Sequence, residues 1–468
     1  MRPITNYTWR PEWIVSKFES PWGIFEKFKY ANVVNNNDLM RIFGDERLKS
    51  KSKNNWKKSE RDLINLTFLD SALLERILGN DIKSTNYKNI NNLVKIFNCG
   101  DDVNLFIRKD VHYCPKCIQL GYHSIFHQLN YLTKCPYHDI ELISKCPNCH
   151  SKIVYSLDDN WGKSPFVCKC GHSLCNDKMD YGFIKKWIEA SNIKISLNDL
   201  NVLLNVNKNQ KYFLSNIYYS EKLLIRHFDN FLNNIVSLIA KTETKHYLVK
   251  SSFQKDIYKK SFSKLRLLES PSKNQYLETL FNNLKSIYYK QLKKNLEKLN
   301  KDHKKCLSKF LYSSTFIRDE YCPFSYAFVF WRKNIERHKY SRFPEVAQCK
   351  KSHFKESNFK ELIYNNHYIH TQNNLMWEIF DINNKNFEIL NWVMCRIYSH
   401  YLISDYQNRL NVAQMHLNNN LYEITLQESE IDIPFYIAYI DLKNYKAEFH
   451  WWDTQEHKNN NCPNKLLQ

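Results

Sequence analysis

Eight residues of the kinds that bind transition metals lie close together in the first half of the chain. They form four short pairs, which are Cys114 and Cys117, Cys135 and His138, Cys146 and Cys149, and Cys168 and Cys170. Each pair can supply two ligands to a tetrahedral ion. The 17 residues 118–134 and the 18 residues 150–167 each form a loop that brings a second pair back to the ion bound by the first. The spacing therefore predicts two structural zinc ions, each with four protein ligands.

The turns that must hold these ligands are also visible in the sequence. Proline follows the first cysteine in three of the pairs, and Gly171 follows Cys170. Proline stiffens a turn and glycine permits unusual backbone angles, so both favour zinc-ribbon turns. A catalytic zinc ion usually has three protein ligands and an open position, which makes a structural role the better interpretation. Sequential pairing is the simpler arrangement, but interleaved pairing stays open, as does substitution by nearby residues: His127, His150, His172 and Cys175.

The residues around the ligands extend this pattern over roughly residues 100 to 175. They are Tyr113-Cys114-Pro-Lys-Cys117, Gly121-Tyr122, Gln128-Leu129, Cys135-Pro-Tyr-His138, Leu142, Cys146-Pro-Asn-Cys149 and Cys168-Lys-Cys170-Gly171, with a weaker similarity at Glu19-Ser20-Pro-Trp22. This pattern resembles the TniQ/TnsD family of target-selection proteins from bacterial transposons. The chain departs from the family pattern at Ser124 and His127, where the family often has arginine and tryptophan.

The resemblance implies a DNA-binding target selector, or adaptor, of a Tn-type transposon. Such proteins bind double-stranded target DNA or dock on a guide-RNA effector complex, and they recruit the transposon's AAA+ ATPase and its transposase. This role implies no catalytic residue, no enzymatic activity and a cytoplasmic, nucleoid-associated location. Two alternatives remain: a zinc-containing DNA-binding transcription regulator, and a metal-dependent nuclease or transposase in which the zinc ribbon is accessory.

Net charge supports a nucleic-acid partner, but only in part of the chain. The 468 residues carry a formal charge of +20, yet residues 101 to 180 contain nine basic and nine acidic side chains. Residues 241 to 310 contain 18 basic and 6 acidic side chains, which indicates a surface that could follow a DNA backbone. The candidate DNA contacts are Arg41, Arg47, Lys49, Lys259, Lys260, Lys264, Arg266, Lys293 and Lys294. The alternative is a set of solvated helix and loop surfaces.

Several classes of protein are disfavoured by what the sequence lacks. All eight glycines lie in the first 182 residues, and neither GxxxxGK[ST] nor GxGxxG occurs, so an ATPase or dinucleotide enzyme of usual design is excluded. The longest apolar run, residues 324 to 331, is much shorter than the roughly 18 residues of a membrane span. No secretion signal is apparent at the N-terminus, so we expect a soluble protein whose cysteines stay reduced.

The remaining patterns predict the elements around the zinc ligands. Ser20 with Pro21, and Asp70 with Gly79, are typical of the ends of short helices, which are compatible with a helix-turn-helix. Further helices are predicted over 181–192, 199–206, 221–240, 274–310 as one helix or two, 326–338 and 386–404, with strands over 421–426, 435–440 and 447–452.

These elements predict a mainly α fold with a small double zinc-ribbon module. The predicted domains are a helical N-terminal domain over 1–105 with the candidate helix-turn-helix, the zinc-ribbon module over 106–180, a larger helical C-terminal domain ending in a few β-strands over 181–452, and a disordered tail over 453–468.

Overall fold

The computed structural model is mainly helical and contains a small antiparallel sheet. It describes residues 6–97, 103–160, 163–175, 181–219, 224–225, 228–240, 260–261, 273–312, 322–335, 395, 398, 401–402, 405–415, 435–441 and 446–452. The chain divides into two compact units. The first contains residues 1–217 and 224–245, and the second contains residues 218–223 and 246–468.

The first unit begins with five α-helices. They are α1 (Pro21–Asn32), α2 (Asn36–Phe43), α3 (Glu46–Lys49), α4 (Ser71–Leu78) and α5 (Ile82–Leu93). The predicted ends of α1 and α4 are present. The Ser20 side chain accepts a hydrogen bond from the Gly23 amide, and the Asp70 side chain accepts from the amides of Ala72 and Leu73. Gly79 ends α4 with a φ of 72°, a conformation that glycine adopts without strain.

The cysteine-rich segment packs against these helices within the same unit. It contains the short helix α6 (Pro115–Gln119) and several isolated β-bridges. The Ser20 amide donates to the carbonyl of His123 at 2.8 Å, and the Ile125 amide donates to the carbonyl of Phe18 at 2.9 Å. The Glu26 carboxylate accepts a hydrogen bond from the Phe166 amide. The N-terminal helices and the metal-ligand segment thus support each other, while the boundary between residues 105 and 106 stays a prediction.

Helices from the later part of the chain complete the first unit. They are α7 (Tyr181–Glu189), α8 (Asn198–Leu204), α9 (Lys208–Leu214) and α10 (Phe228–Ala240), and the short strand β1 (Ile217–Tyr218) lies at the boundary between the units. Phe231 of α10 packs against Phe97 and Phe106, with ring centroids 5.1 and 5.7 Å apart. The apolar stripe predicted within 221–240 is therefore part of the core where the structure describes it.

The second unit contains long helices and most of the sheet. Its helices include α11 (Lys273–Asp302), α12 (Lys304–Tyr312) and α13 (Pro323–Ile335), so the segment predicted over 274–310 forms two helices. Strand β4 (Lys446–Trp452) pairs antiparallel with β3 (Phe435–Asp441) and with the short β2 (Lys260–Ser261). Two of the three predicted strands are thus confirmed. The predicted strand over 421–426, most of the helix over 386–404 and the predicted tail lie outside the described residues.

Within the part of the chain that the structure describes, no helix has both the length and the apolar character needed to cross a bilayer.

Candidate metal centres

The first candidate metal centre consists of Cys114, Cys117, Cys135 and His138. Their ligand atoms all lie within 4.8 Å of one another. The sulfurs of Cys117 and Cys135 are 3.7 Å apart, and Nδ1 of His138 lies 3.3 to 3.7 Å from the three sulfurs. Metal–ligand bonds of about 2.0–2.3 Å in a tetrahedron require ligand atoms about 3.3–3.8 Å apart. The four side chains therefore form a nearly tetrahedral cage of the right size.

The second candidate metal centre consists of Cys146, Cys149, Cys168 and Cys170, again with all ligand atoms within 4.8 Å. The sulfurs of Cys146 and Cys170 are 3.7 Å apart, and those of Cys149 and Cys168 are 3.6 Å apart. These distances also fit the edges of a tetrahedron around a metal ion. The structure thus groups the eight predicted ligands in sequential order, with four from each block.

In three of the pairs, a tight turn begins at the first ligand. The amide four residues after Cys135 and after Cys146 donates to the carbonyl of that cysteine, at 2.9 and 3.0 Å. The residue at that position, Asp139 or His150, has a φ of 51° or 55°. Cys168 starts a tighter version in which Gly171 donates to its carbonyl at 2.9 Å and has a φ of 84°. Each turn folds the chain back, so that both side chains of a pair point to the same place.

Cys114 reaches the first centre in a different way. It occupies the N-cap position of α6, Pro115 is the first helical residue, and the amide of Ile118 donates to the Cys114 carbonyl at 3.0 Å. Cys117 lies one turn later on the same helix face. A proline is well tolerated at this position because its missing N–H group would have no partner within the helix.

The residues that could have replaced a ligand lie outside both groups. His127 comes nearest, with Nε2 3.5 Å from Cys135 Sγ, but its Nδ1 accepts a hydrogen bond from the amide of Ser124 at 3.3 Å. Burial lowers the pKa of His127 well below its ordinary value, so the ring stays neutral. The thiol of Cys175 donates to the carbonyl of Ile118. Ser124 and His127, where the chain departs from the family pattern, thus pack beside the first centre.

Two thiols of the second centre differ in exposure and in pKa. The hydroxyl of Ser151, 2.9 Å from Cys149 Sγ, lowers the pKa of Cys149 to about 6 because its hydrogen bond stabilises the thiolate. Burial raises the pKa of Cys146 to about 11. Cys149 is exposed and Cys146 is buried. A thiolate is the form that both binds metals and reacts with alkylating reagents.

We expect iodoacetamide to modify Cys149 faster than Cys146 when the metal is removed by a chelator treatment brief enough to leave the chain folded. At pH 7 most of its thiol is ionised, whereas the Cys146 thiol is protonated and shielded. Peptide mass spectrometry over a time course would give the rate at each cysteine, and metal-loaded protein is the control in which both rates should fall. Equal rates at Cys149 and Cys146 in chelated protein whose circular dichroism shows that it is still folded would contradict the assignment.

Gly121 links the first centre to helix α7. Its φ is 63°, and a Cβ atom there would lie 2.4 Å from Nε1 of Trp187, which is fully buried. The next residue, Tyr122, donates its amide to the carbonyl of Cys117 at 3.0 Å. Glycine therefore suits this position for two reasons: it adopts the positive φ without strain, and it leaves room for the Trp187 side chain.

Replacing Gly121 with alanine should lower the free energy of unfolding by about 2–4 kcal/mol, since it adds backbone strain and overpacks the core. Gly171→Ala is the matched control, because Gly171 also has a positive φ but no atom lies within 4 Å of the position that an added methyl group would take. Thermal unfolding of both variants would separate the two effects. A Gly121→Ala variant no less stable than Gly171→Ala would show that the Trp187 contact is unimportant.

The candidate DNA contacts are partly described. In the first unit, Arg41 and Lys49 are exposed, and the Arg47 side chain is 71% exposed although its guanidinium lies 2.6 Å from Asp45. In the second unit, Lys293 and Lys294 are exposed on α11. Lys260 lies in β2, and its side chain is not described. Lys259, Lys264 and Arg266 lie outside the described residues.

Sequence reasoning missed a third group of side chains that could hold a metal ion. His303, Cys306 and Cys322 lie in the second unit, and their ligand atoms are within 4.8 Å of one another. Two signals were present: His303-Lys-Lys-Cys306 has the spacing of a ligand pair, and Cys322-Pro323 repeats the cysteine–proline step of the other centres. These residues attracted no attention in the sequence because they form one ligand pair and one separate cysteine, and the structure groups only three ligands among the residues that it describes.

The fold and these centres define a mainly helical chain with clusters of cysteine and histidine that could bind metal ions. Compared with known proteins, the chain matches no family model and no curated protein. The resemblance to the TniQ/TnsD family therefore stays a prediction from the quoted residues.

Proposed function

We propose that this protein is a DNA-binding target selector, or adaptor, of a bacterial transposon. The observation that carries the proposal is the pair of four-ligand cages formed by residues 114–138 and 146–170, within the sequence pattern that resembles the TniQ/TnsD family. In this role the chain recognises an insertion site on double-stranded DNA and recruits an AAA+ ATPase and a transposase. It performs no chemistry itself.

The two cages hold structural zinc ions. Sets of three cysteines with one histidine, or of four cysteines, are the sets typical of structural zinc, and thiolates favour zinc over magnesium or calcium. Each cage already contains four ligand atoms, so no position is left for a substrate or a reactive water molecule. The ions act by folding double zinc-ribbon turns that otherwise contain little regular secondary structure.

Two surfaces support an interaction with DNA. Helices α4 and α5 are joined by the three residues 79–81, a connection of the length and glycine content found in helix-turn-helix motifs. On α11, Lys293 and Lys294 are exposed, and the Lys293 ammonium lies 3.8 Å from Glu297, too weak a pairing to prevent a phosphate contact. The first surface could read bases, and the second could hold the backbone.

The decisive experiment is a gel-shift of the zinc-loaded full-length chain on fragmented host genomic DNA, with bound fragments sequenced across a salt series. Enrichment of one site that survives high salt supports direct target selection, because phosphate contacts alone weaken steeply with salt. Uniform binding that vanishes with salt would place specificity in a partner such as a guide-RNA complex. Absence of DNA binding at low salt, or metal-dependent DNA cleavage, would contradict the proposal.

If a gene for an AAA+ ATPase lies beside the gene for this protein, a pull-down with that ATPase separates the adaptor from a transcription regulator. A target selector should retain the ATPase on DNA that contains the enriched site and release it when the site is scrambled. A regulator should bind its site without retaining the ATPase, which would overturn the proposed role while leaving the zinc sites unaffected.

A further inference from the structure

We propose that His303, Cys306 and Cys322 form a third metal site, which binds zinc and joins helices α11, α12 and α13 of the second unit. The ligand atoms lie within 4.8 Å of one another, and His303 Nδ1 is 3.3 Å from Cys322 Sγ. This separation is in the range of 3.3 to 3.7 Å seen between His138 and the sulfurs of the first centre. The inference does not rest on the proposed function.

The first two ligands lie at the junction between helices α11 and α12. His303 is the single residue between α11 and α12, and Cys306 follows three residues later in the first turn of α12. The His303 amide donates to the carbonyl of Leu299, and the amide of Leu307 donates to the carbonyl of His303 at 2.9 Å. Because backbone bonds fix His303 on both sides, and residues three apart share a helix face, its imidazole and the Cys306 thiol point in the same direction.

The third ligand, like Cys114 in the first centre, immediately precedes a helix that begins with proline. Cys322 precedes Pro323, the first residue of α13, and the amide of Tyr326 donates to the Cys322 carbonyl at 2.9 Å. The first centre has the same arrangement: Cys114 precedes Pro115, the first residue of α6, and the amide of Ile118 donates to the Cys114 carbonyl. A cysteine immediately before the first residue of a helix is well placed to bind a cation, since the helix dipole stabilises its thiolate.

The surroundings suit a bound metal ion. His303, Cys306 and Cys322 are only 7%, 6% and 1% exposed, and neither cysteine forms a disulfide. The ring of Phe324 stacks on that of His303, with centroids 4.5 Å apart and planes inclined by 21°, which fixes the orientation of the imidazole. Two thiolates and one imidazole select zinc among the common divalent ions of cells.

Among the described residues, the site offers three ligand atoms rather than four. A water molecule would complete the tetrahedron, an arrangement that is more usual in catalytic zinc sites. We nevertheless assign the ion a structural role, because its three ligands are at most 7% exposed and lie at the ends of three helices, whose relative positions the ion would fix. Without a metal, the same groups would be a thiol–imidazole hydrogen bond in the core.

The test is the zinc content of the reduced full-length chain, measured by inductively coupled plasma mass spectrometry against protein concentration from amino-acid analysis. We expect three zinc ions per chain in the wild type and two in each of Cys306→Ser and Cys322→Ser. Cys175→Ser is the matched control, since Cys175 is a buried thiol outside all three groups, and it should keep three. Two ions in the wild type, with the same number in both variants, would overturn the proposal.

A spectroscopic measurement keeps the proposal testable if the serine variants fold poorly. Cobalt added to the metal-free wild type should bind the third site through two thiolates and one imidazole. In the His303→Cys variant the same site would offer three thiolates. The sulfur-to-cobalt charge-transfer absorption per chain should therefore rise in His303→Cys, with tetrahedral d–d bands retained. An unchanged charge-transfer intensity, or a Cys306–Cys322 disulfide in the wild type under mild oxidation at full zinc occupancy, would overturn the site.

Discussion

Replacing Cys146 with serine should remove one metal ion per chain and, under the proposed function, abolish target selection. The Cys146 thiol is buried, and its sulfur lies 3.7 Å from that of Cys170 within the second centre. Serine binds zinc far more weakly than a thiolate does, and zinc binding contributes on the order of 10 kcal/mol to folding in small zinc domains. The turns over 146–170 should unfold locally, so the DNA site found for the wild type should no longer be enriched.

Zinc stoichiometry and the sequencing of bound DNA, both made on the same preparation, check this result. Cys175→Ser is the control here too, because its hydroxyl can still donate to the carbonyl of Ile118. Full zinc content together with unchanged enrichment of the site in Cys146→Ser would contradict both the ligand assignment and its role.

Replacing Lys27 with methionine should lower the free energy of unfolding by about 3–5 kcal/mol, because it leaves a buried carboxylate without its partner. The ammonium of Lys27 lies 2.6 Å from Oε1 of Glu19 and donates to the carbonyl of Trp13 at 2.8 Å. Both side chains of the ion pair are completely buried. The pair joins the middle of α1 to the segment before that helix, so the variant should lose packing beside the first centre.

A double variant, Glu19→Gln with Lys27→Met, is the control for this prediction. It removes both charges, and replacing a whole buried ion pair is often nearly neutral, so most of the lost stability should return. Urea unfolding followed by tryptophan fluorescence would measure all three proteins. A double variant as unstable as Lys27→Met alone would show that side-chain packing, rather than the unpaired charge, causes the loss.

The stability of Lys27→Met should also depend on pH. Burial raises the pKa of Glu19, and the attraction of Lys27 opposes that rise, so removing Lys27 raises the pKa further. A carboxyl group with a raised pKa in the folded state stabilises it at low pH and loses that contribution as the pH increases through the folded-state pKa. The deficit of the variant relative to wild type should therefore be smallest below pH 4.5, the ordinary pKa of a glutamic acid side chain, and should grow as the pH rises above it. A deficit independent of pH would contradict this explanation.

Much of the local structure could be predicted from the sequence. Ser20 and Asp70 cap helices where they were expected to, and the strands near 435–440 and 447–452 are present. The ligand pairs were equally evident, because each is a local turn whose residue types and spacing carry the whole signal. Pro115 was expected to stiffen a turn, and it is also the first residue of α6, a short helix that the sequence analysis did not predict.

Contacts between residues far apart in sequence could not be predicted in this way. Ser20 Oγ lies 2.6 Å from Nδ1 of His123, more than a hundred residues later, and no local pattern links the two. The choice of His138 over His127 at the first centre was also open, because both are near enough in the chain. Only the folded structure shows that the Ser124 amide occupies one His127 nitrogen.

By itself, the sequence determined the types of ligand, the turns that carry them and the ends of many helices, since each depends on a few neighbouring residues. Only the tertiary structure decided that His303 and Cys306 meet Cys322, because the intervening segment can close in many ways and packing selects one. It also decided that Glu19 and Lys27, which look like ordinary surface charges, form a fully buried pair. Burial depends on what the rest of the chain places around a side chain, and that is a property of the whole fold.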